Sequence, residues 1–194
     1  MKIKLEEVDK KGAVSVEEAI ARRKSRRVFK RTKLTKKQLA QVLWAAEKAP
    51  SAGATYPLEL YVVIGADCVE NINAGVYHAE RGYSQVELHK EGDLRKELAD
   101  ACLGQMFIAH APVSFVLAAE YERTTRRYGD RGVRYVLIEV GHASQNVYLQ
   151  CEALVLATVA IGAFHDEAVA RVLNLPRQHR PLYVMPVGVS AERI

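Results

Sequence analysis

Between Arg22 and Lys37 the chain carries ten basic residues and no acid, and Arg23-Lys24-Ser25-Arg26-Arg27 sets one serine among the cations. A serine between arginines at a chain turn can offer a phosphate two guanidinium forks and a hydroxyl at once. Taken alone, the stretch reads equally well as a solvated cationic helix end. A nucleic-acid surface would need aromatic residues for stacking, and between Arg22 and Lys37 only Phe29 is aromatic. A second candidate is Pro50-Ser51-Ala52-Gly53-Ala54-Thr55-Tyr56-Pro57, a loop of small residues between two prolines, which lets a backbone approach a ligand closely. A third is the Ile161-Gly162-Ala163-Phe164 turn, whose bland reading is a helix C-cap.

Other chemistries find little support. The six histidines pair with neither cysteines nor carboxylates at ligand spacing, so no metal is expected. There is no GxSxG elbow, no GxGxxG turn and no GxxxxGK[ST] loop. No catalytic acid, base or nucleophile is assigned.

These candidates sit in a chain of 194 residues with 49% hydrophobic and 26% charged residues, long enough for a sizeable core, and one domain over 1–194 is expected. The net charge of +5 is uneven: residues 1–50 hold 15 Lys/Arg against 6 Asp/Glu, the remainder 13 against 17. Such a one-ended cluster implies an anionic partner. Cys68, Cys102 and Cys151 form no CxxC, which predicts reduced, buried thiols and a cytoplasmic location. Residues 1–7 lack a signal peptide's apolar stretch, and the run from Ala153 to Phe164 falls short of the ~20 residues that span a bilayer. No membrane partner is expected.

The elements that must position the candidates can be read in order. Ser15-Val16-Glu17-Glu18 and Thr35-Lys36-Lys37-Gln38 are capping boxes, each opening a helix, the second ended by Pro50. Leu58 to Gly65 predicts a strand. Asn71 to Gly92 reads as irregular, with a possible short strand at Gly75–His78. Asp93 opens a predicted helix to about His110, and Val113–Ala119 a buried strand. Val133 to roughly Thr158 predicts a central helix buried on most sides. Asp166 caps a helix through Leu173, and Leu182–Val189 is the final strand. The class is α+β.

The three candidates in this order resemble the flavin-dependent nitroreductase family, and more closely its branch related to the SagB-type dehydrogenases. The motifs are Arg23-Lys24-Ser25-Arg26-Arg27-Val28-Phe29, then Ala49-Pro50-Ser51-Ala52-Gly53-Ala54 with Tyr56-Pro57-Leu58-Glu59-Leu60-Tyr61. Gly141-His142-Ala143-Ser144-Gln145-Asn146 leads on to Ile161-Gly162-Ala163-Phe164, and Pro186-Val187-Gly188 closes the series. The resemblance implies a mostly antiparallel sheet flanked by helices, a long buried central helix and an obligate homodimer. It implies FMN as cofactor, NADH or NADPH as co-substrate, and a small organic acceptor of nitro or quinone type reduced by hydride transfer through flavin N5. Arg23, Ser25 and Arg27 would hold the FMN phosphate and ribityl chain, with Lys24 beside them and Arg27 near the pyrimidine edge. Ser51, Ala52, Gly53 and Ala54 would line the flavin from the other subunit. Backbone amides of Gly162 and Ala163 would face N5 and O4, Gln105 would lie near the ring, and Arg193 is the candidate for a further phosphate-binding cation. Arg22, Arg26 and the lysines beyond then read as a solvated face. The family also allows a dehydrogenase that passes electrons to oxygen, or a flavin-binding protein without activity. The chain departs from many relatives in having Ala54 for an asparagine, Gly162-Ala163 for Glu-Gly, and no adjacent Lys-Tyr pair.

Overall fold

The computed structural model describes residues 1–192. Its centre is a seven-stranded sheet of β1 (Lys2–Lys4), β2 (Leu58–Ile64), β3 (Gly75–Ala79), β4 (Gln85–Glu91), β5 (Val113–Glu120), β6 (Leu156–Thr158) and β7 (His179–Val189). The order is β1-β4-β3-β2-β5-β7-β6, and every pairing is antiparallel. Strands β2 and β5 are, apart from Glu59, Ser114 and the terminal Glu120, apolar on both sides because both faces are covered. Val62, Ile64, Phe115 and Leu117 pack under α2 (Lys36–Glu47) and α6 (Arg131–Ala153). Their alternates Tyr61, Val63, Val116 and Ala118 pack with Leu98 of α3 (Arg95–Ala101) and with Val169 and Leu173 of α7 (Asp166–Leu173). Successive side chains of a strand point to opposite faces, so an unbroken apolar run serves both cores.

Helix α1 (Val16–Arg22) starts as read, Ser15 Oγ accepting from the Glu18 amide at 3.1 Å, but Glu18 turns to Arg22 instead of closing the box. The box at Thr35 is complete: Thr35 Oγ1 accepts from Gln38 N at 3.0 Å, and the Thr35 N–H donates to Gln38 Oε1 at 3.0 Å. Helix α7 begins at Asp166 with His165 as its N-cap. At its other end Lys90 Nζ donates to Val172 O at 2.8 Å and His89 bonds Asn174 O at 2.7 Å, so β4 satisfies carbonyls the helix leaves open.

Three expectations are corrected. The stretch from Asn71 to Gly92 is more regular than read: the short strand at Gly75–His78 is β3, a second strand β4 follows it, and β1 is added at the edge. Val86 is buried between exposed or half-buried polar neighbours, the alternation of a strand wet on one side. The helix foreseen from Asp93 to His110 is two, α3 and α4 (Phe107–His110), divided where Leu103 and Gly104 take φ of 60° and 71°. Gly104 N–H donates back to Ala99 O at 3.0 Å, a Schellman-type closure that ends α3 although the apolar spacing continues. Past α6, Val155 turns at φ 58° and Leu156–Thr158 leave the helix to pair with β7.

Helix α6 runs 23 residues between α2 and the short α5 (Glu122–Tyr128). Within this one chain its burial is one-sided: Val136, Val140, Ala143 and Val147 face the core, while Val133, Leu137 and Ile138 remain 42–50% exposed. Among the described residues no helix is long and apolar enough to cross a membrane.

Candidate functional site

After α1 the chain stays out of helix through residue 30 and lies beside the ends of β6 and β7. The Arg26 N–H donates to Thr158 O at 3.0 Å, Phe29 bridges to Ser190, and the Lys30 N–H donates to Val189 O at 2.9 Å. In extended backbone alternate residues share a side, so the Arg-x-Ser-x-Arg spacing is a period of two. Ser25 and Arg27 accordingly face solvent with Arg23 half-buried, while Arg26 turns inward.

Arg26 corrects the reading of that residue as part of a solvated face. It is 3% exposed and forms an ion pair with Glu152, likewise 3% exposed, at the C-terminal end of α6. Arg26 Nη2 also reaches the Arg22 carbonyl at 3.4 Å. A buried pair of this kind contributes little net stability against an apolar replacement, but it fixes where its backbone runs. What it fixes here are the flanking Ser25 and Arg27.

Tyr148 of α6 is the joint that sequence reasoning missed. Its hydroxyl oxygen accepts from the Ala160 amide at 2.8 Å and lies 2.8 Å from Ser25 Oγ. The Arg23 guanidinium sits 5.2 Å from its ring centroid. One phenol therefore ties the basic stretch to the turn after β6. Next in that turn, Ile161 exchanges two backbone bonds with Val184, at 2.9 and 3.0 Å, leaving Gly162 and Ala163 exposed. Gln105 Nε2 holds the Ala163 carbonyl at 3.1 Å and the Cys102 carbonyl at 2.8 Å. Arg27 stacks 5.8 Å over the Phe107 ring, two residues past Gln105. Arg23, Ser25, Arg27, Gln105, Gly162 and Ala163 are thus linked through a short chain of contacts.

Four of these six keep free donors, while Gln105 and Ser25 are engaged within the chain. Among the described residues neither Arg23 nor Arg27 has a carboxylate within ion-pair distance, and the Gly162 and Ala163 amides have no acceptor. Lys24 differs, being paired with Glu192 at 3.1 Å. Arg193 lies outside the described residues.

Ser51, Ala52, Gly53 and Ala54 are not brought to this cluster within the chain. They form a single turn near Glu139, nine residues before Tyr148 on α6, or about 13 Å along the axis. The turn needs unusual backbone: Gly53 and Ala54 have φ of 57° and 53°. A Cβ at Gly53 would come within 2.3 Å of the Tyr128 hydroxyl, and Arg127 donates to the Gly53 carbonyl at 3.1 Å. Ser51 Oγ accepts from the Tyr56 amide at 2.8 Å. Beneath the turn, Glu139 is 5% exposed, and burial raises its carboxyl above the ordinary range against smaller opposing effects of the Ser51 hydroxyl and the Ala52 amide. Gly53 and Ala54 themselves are exposed.

A separate polar cluster lies under α5. Glu59, Glu120 and His179 bring potential ligand atoms within 4.8 Å of one another. Arg123 already supplies positive charge there, at 2.5 Å from Glu59 and 2.7 Å from Glu120. His78 bonds Glu59 at 2.6 Å, and His179 Nδ1 is taken by the Tyr61 hydroxyl at 2.7 Å. Burial opposes ionisation of Glu59, yet His78 and Arg123 together hold its carboxyl below the ordinary range, so the cluster is a charge-balanced support for the sheet. The cysteines are all free: Cys102 and Cys151 are buried, with burial raising the Cys102 thiol to about 12, while Cys68 is half-buried, contrary to expectation.

The model of the nitroreductase family matches residues 20–189, and the chain belongs to that family, which makes it an oxidoreductase. A nitroreductase homologue from Methanocaldococcus jannaschii is 42% identical over 202 residues, covering 99% of this chain and 98% of the relative. A nitroreductase-family crystal structure from Ralstonia eutropha superposes with a TM-score of 0.84 at 25% identity, over 99% of this chain and 90% of that one. The NADPH:FMN oxidoreductase of Vibrio harveyi in complex with NAD+ shares the fold, with a TM-score of 0.70 at 20% identity, over 91% and 69%.

Proposed function

We propose that the protein is a homodimeric FMN-dependent oxidoreductase that takes hydride from NADH or NADPH and passes it to a small organic acceptor of nitro or quinone type. The observation that carries this reading is a donor set with no carboxylate partner among the described residues: Arg23 and Arg27 flank Ser25 on an anchored strand-like stretch, and the Ser25 hydroxyl is joined through Tyr148 to the turn that carries the free amides of Gly162 and Ala163. This set fits the group. Two guanidinium forks and a hydroxyl suit a phosphate with its ribityl chain, and exposed amides suit the polar edge of a flat ring. Bound FMN would supply the two-electron chemistry, accepting and returning hydride at N5.

The chain's own residues do the rest. Arg23 and Ser25 bind the phosphate, and Arg27 offers positive charge where the reduced ring gains negative charge. Gln105 fixes the Ala163 carbonyl and so keeps the neighbouring amides pointed away from it. No side chain need move a proton at carbon, so this reading requires no catalytic acid, base or nucleophile. The second copy seats on the exposed stripe Val133, Leu137 and Ile138, and brings its own Ser51–Ala54 turn to the ring. With Ala54 in place of a polar residue, that turn contributes backbone and shape.

The test is direct. The purified protein should be yellow with a flavin absorbance band, bleach anaerobically with NADH or NADPH, and recolour on adding a nitroaromatic or a quinone. A colourless protein that binds no added FMN would end this reading. A yellow protein that neither dinucleotide bleaches would leave flavin binding standing and remove the reductase.

A further inference from the structure

The basic run holds more cations than one phosphate requires, and the structure accounts for several. Arg22 pairs with Glu18, Lys24 with Glu192, Arg26 with Glu152 and Lys37 with Asp9. The segment from Arg27 to Lys33 is exposed apart from the half-buried Phe29, yet it is not a flat surface. It forms one wall of a cavity of about 740 Å³ whose other wall comes from the turn after β2, Arg95 and the end of α4. That volume is within the range of small-molecule sites, roughly 300–1,000 Å³.

Its charge is strongly positive. Arg27, Lys30, Arg31, Lys33 and Arg95 line it, with Asp67 the single acid, so a concave low-dielectric wall focuses a cationic field inward. Lys33 is paired with Asp67, and Arg95 is held by Asp93 at 2.8 and 2.7 Å and by the Ala111 carbonyl at 3.0 Å. Lys30 and Arg31 have no carboxylate partner among the described residues and are left to meet an anion. The backbone carrying them is anchored at both ends, by Lys30 N–H on Val189 O at 2.9 Å and Leu34 N–H on Cys68 O at 2.9 Å. Apolar surface lies beside the charges: Val28, 54% exposed, with Phe29 and Pro112. Arg27 belongs both to this cavity and to the flavin-side cluster, where it stacks on Phe107.

We propose that this cavity receives the phosphate-bearing adenosine end of the nicotinamide dinucleotide, with Lys30 and Arg31 on the phosphates and Val28 and Phe29 against the base. The proposal rests on the reductase reading above and adds to it the place where the donor is recognised. A concave site of this size favours a small nucleotide over a nucleic-acid duplex, and two cations beside an apolar wall match pyrophosphate and adenine better than a simple anion.

ADP is the probe, titrated into the purified protein by calorimetry and tested as an inhibitor of anaerobic flavin reduction by NADH and NADPH. ADP should bind, should compete with the dinucleotide, and should bind about tenfold more weakly to Lys30→Gln/Arg31→Gln, each lost charged contact being worth a few-fold or more. Flavin content per chain should stay that of the parent. Thr32→Glu, which adds a like-charged repulsion to ADP on the same exposed wall, should weaken ADP as well. Unchanged ADP affinity in both variants overturns the proposal, as does ADP binding that leaves flavin reduction uninhibited. Failure of the underlying reading has its own signature, a flavin that no dinucleotide bleaches, and ADP affinity is read independently of it.

Discussion

Helix α6 buries two glutamates thirteen residues apart, and they are treated in opposite ways. Glu152 meets a buried guanidinium, Arg26, drawn in from the extended stretch after α1. Glu139 has no ion-pair partner among the described residues and faces only the hydroxyl and amide of the Ser51 turn, with the more distant His142 and Arg81 helping a little. The first end is closed on itself, the stretch around Ser25 held by the Arg26–Glu152 ion pair and by Tyr148. The second is open, its turn exposed and the apolar stripe Val133, Leu137 and Ile138 uncovered. Under the proposed reading, the end that the chain completes alone would be rigid before ligand arrives, whereas the end that a second copy would complete is left with surface to spare.

The largest effect should come from the closed end. Arg23→Ala with Arg27→Ala should strip the flavin while leaving the far-ultraviolet spectrum and cooperative melting intact. Normal FMN content in that variant would remove both residues from the site. Next is the buried pair. Glu152→Ala leaves Arg26 charged and unpaired and should cost about 3–5 kcal/mol, a drop in Tm on the order of 10 °C at roughly 2–4 °C per kcal/mol for a chain of this length. Arg26→Met/Glu152→Leu should recover most of that Tm yet still bind FMN several-fold more weakly than the parent. Full recovery of both would make the pair an ordinary stabilising contact.

At the open end, Leu137→Glu should yield a folded monomer by sedimentation, with flavin lost on purification. A flavin-loaded dimer in that variant would move the interface elsewhere. The smallest effect concerns Glu139. Burial keeps its proton on to a higher pH in the folded chain than in the unfolded one. Its contribution is therefore fully present below the ordinary glutamate value of about 4.3 and is lost as pH rises through the higher folded value. Glu139→Gln should flatten Tm against pH across that window and raise Tm by a few degrees at neutral pH. A parent Tm that is already flat there would show that the turn's hydrogen bonds offset the burial.

How much of this was legible follows the same division. The basic stretch stood out because a charge cluster is a local property, and the family resemblance narrowed it to Arg23, Ser25 and Arg27. The role of Arg26 could not be read there: its partner lies 126 residues away, and a charge inside a basic run carries no sign of which member turns inward. Tyr148 sits among ordinary helix residues, and its role exists only once Ser25, 123 residues distant, is folded against it. The buried strands declared themselves through unbroken apolar runs. β4 hid because a strand near the sheet edge carries polar residues on its wet side, and the α3–α4 break hid because apolar spacing ran on past Gly104. The stripe on α6 was read as core since its apolar residues resemble those of the buried face. Sequence alone does not say whether the covering comes from the same chain.

The strand order has a consequence for biosynthesis. Of the seven described strands, β7 is the last to be made, yet it takes a place inside the sheet, between β5 and β6. Until residues 179–189 emerge from the ribosome, β5 keeps a bare, mostly apolar edge and β6 has no partner. Between the completion of β5 at residue 120 and of β7 at residue 189, the nascent chain is thus an open half-sheet, the condition in which chaperones are recruited and strand edges aggregate.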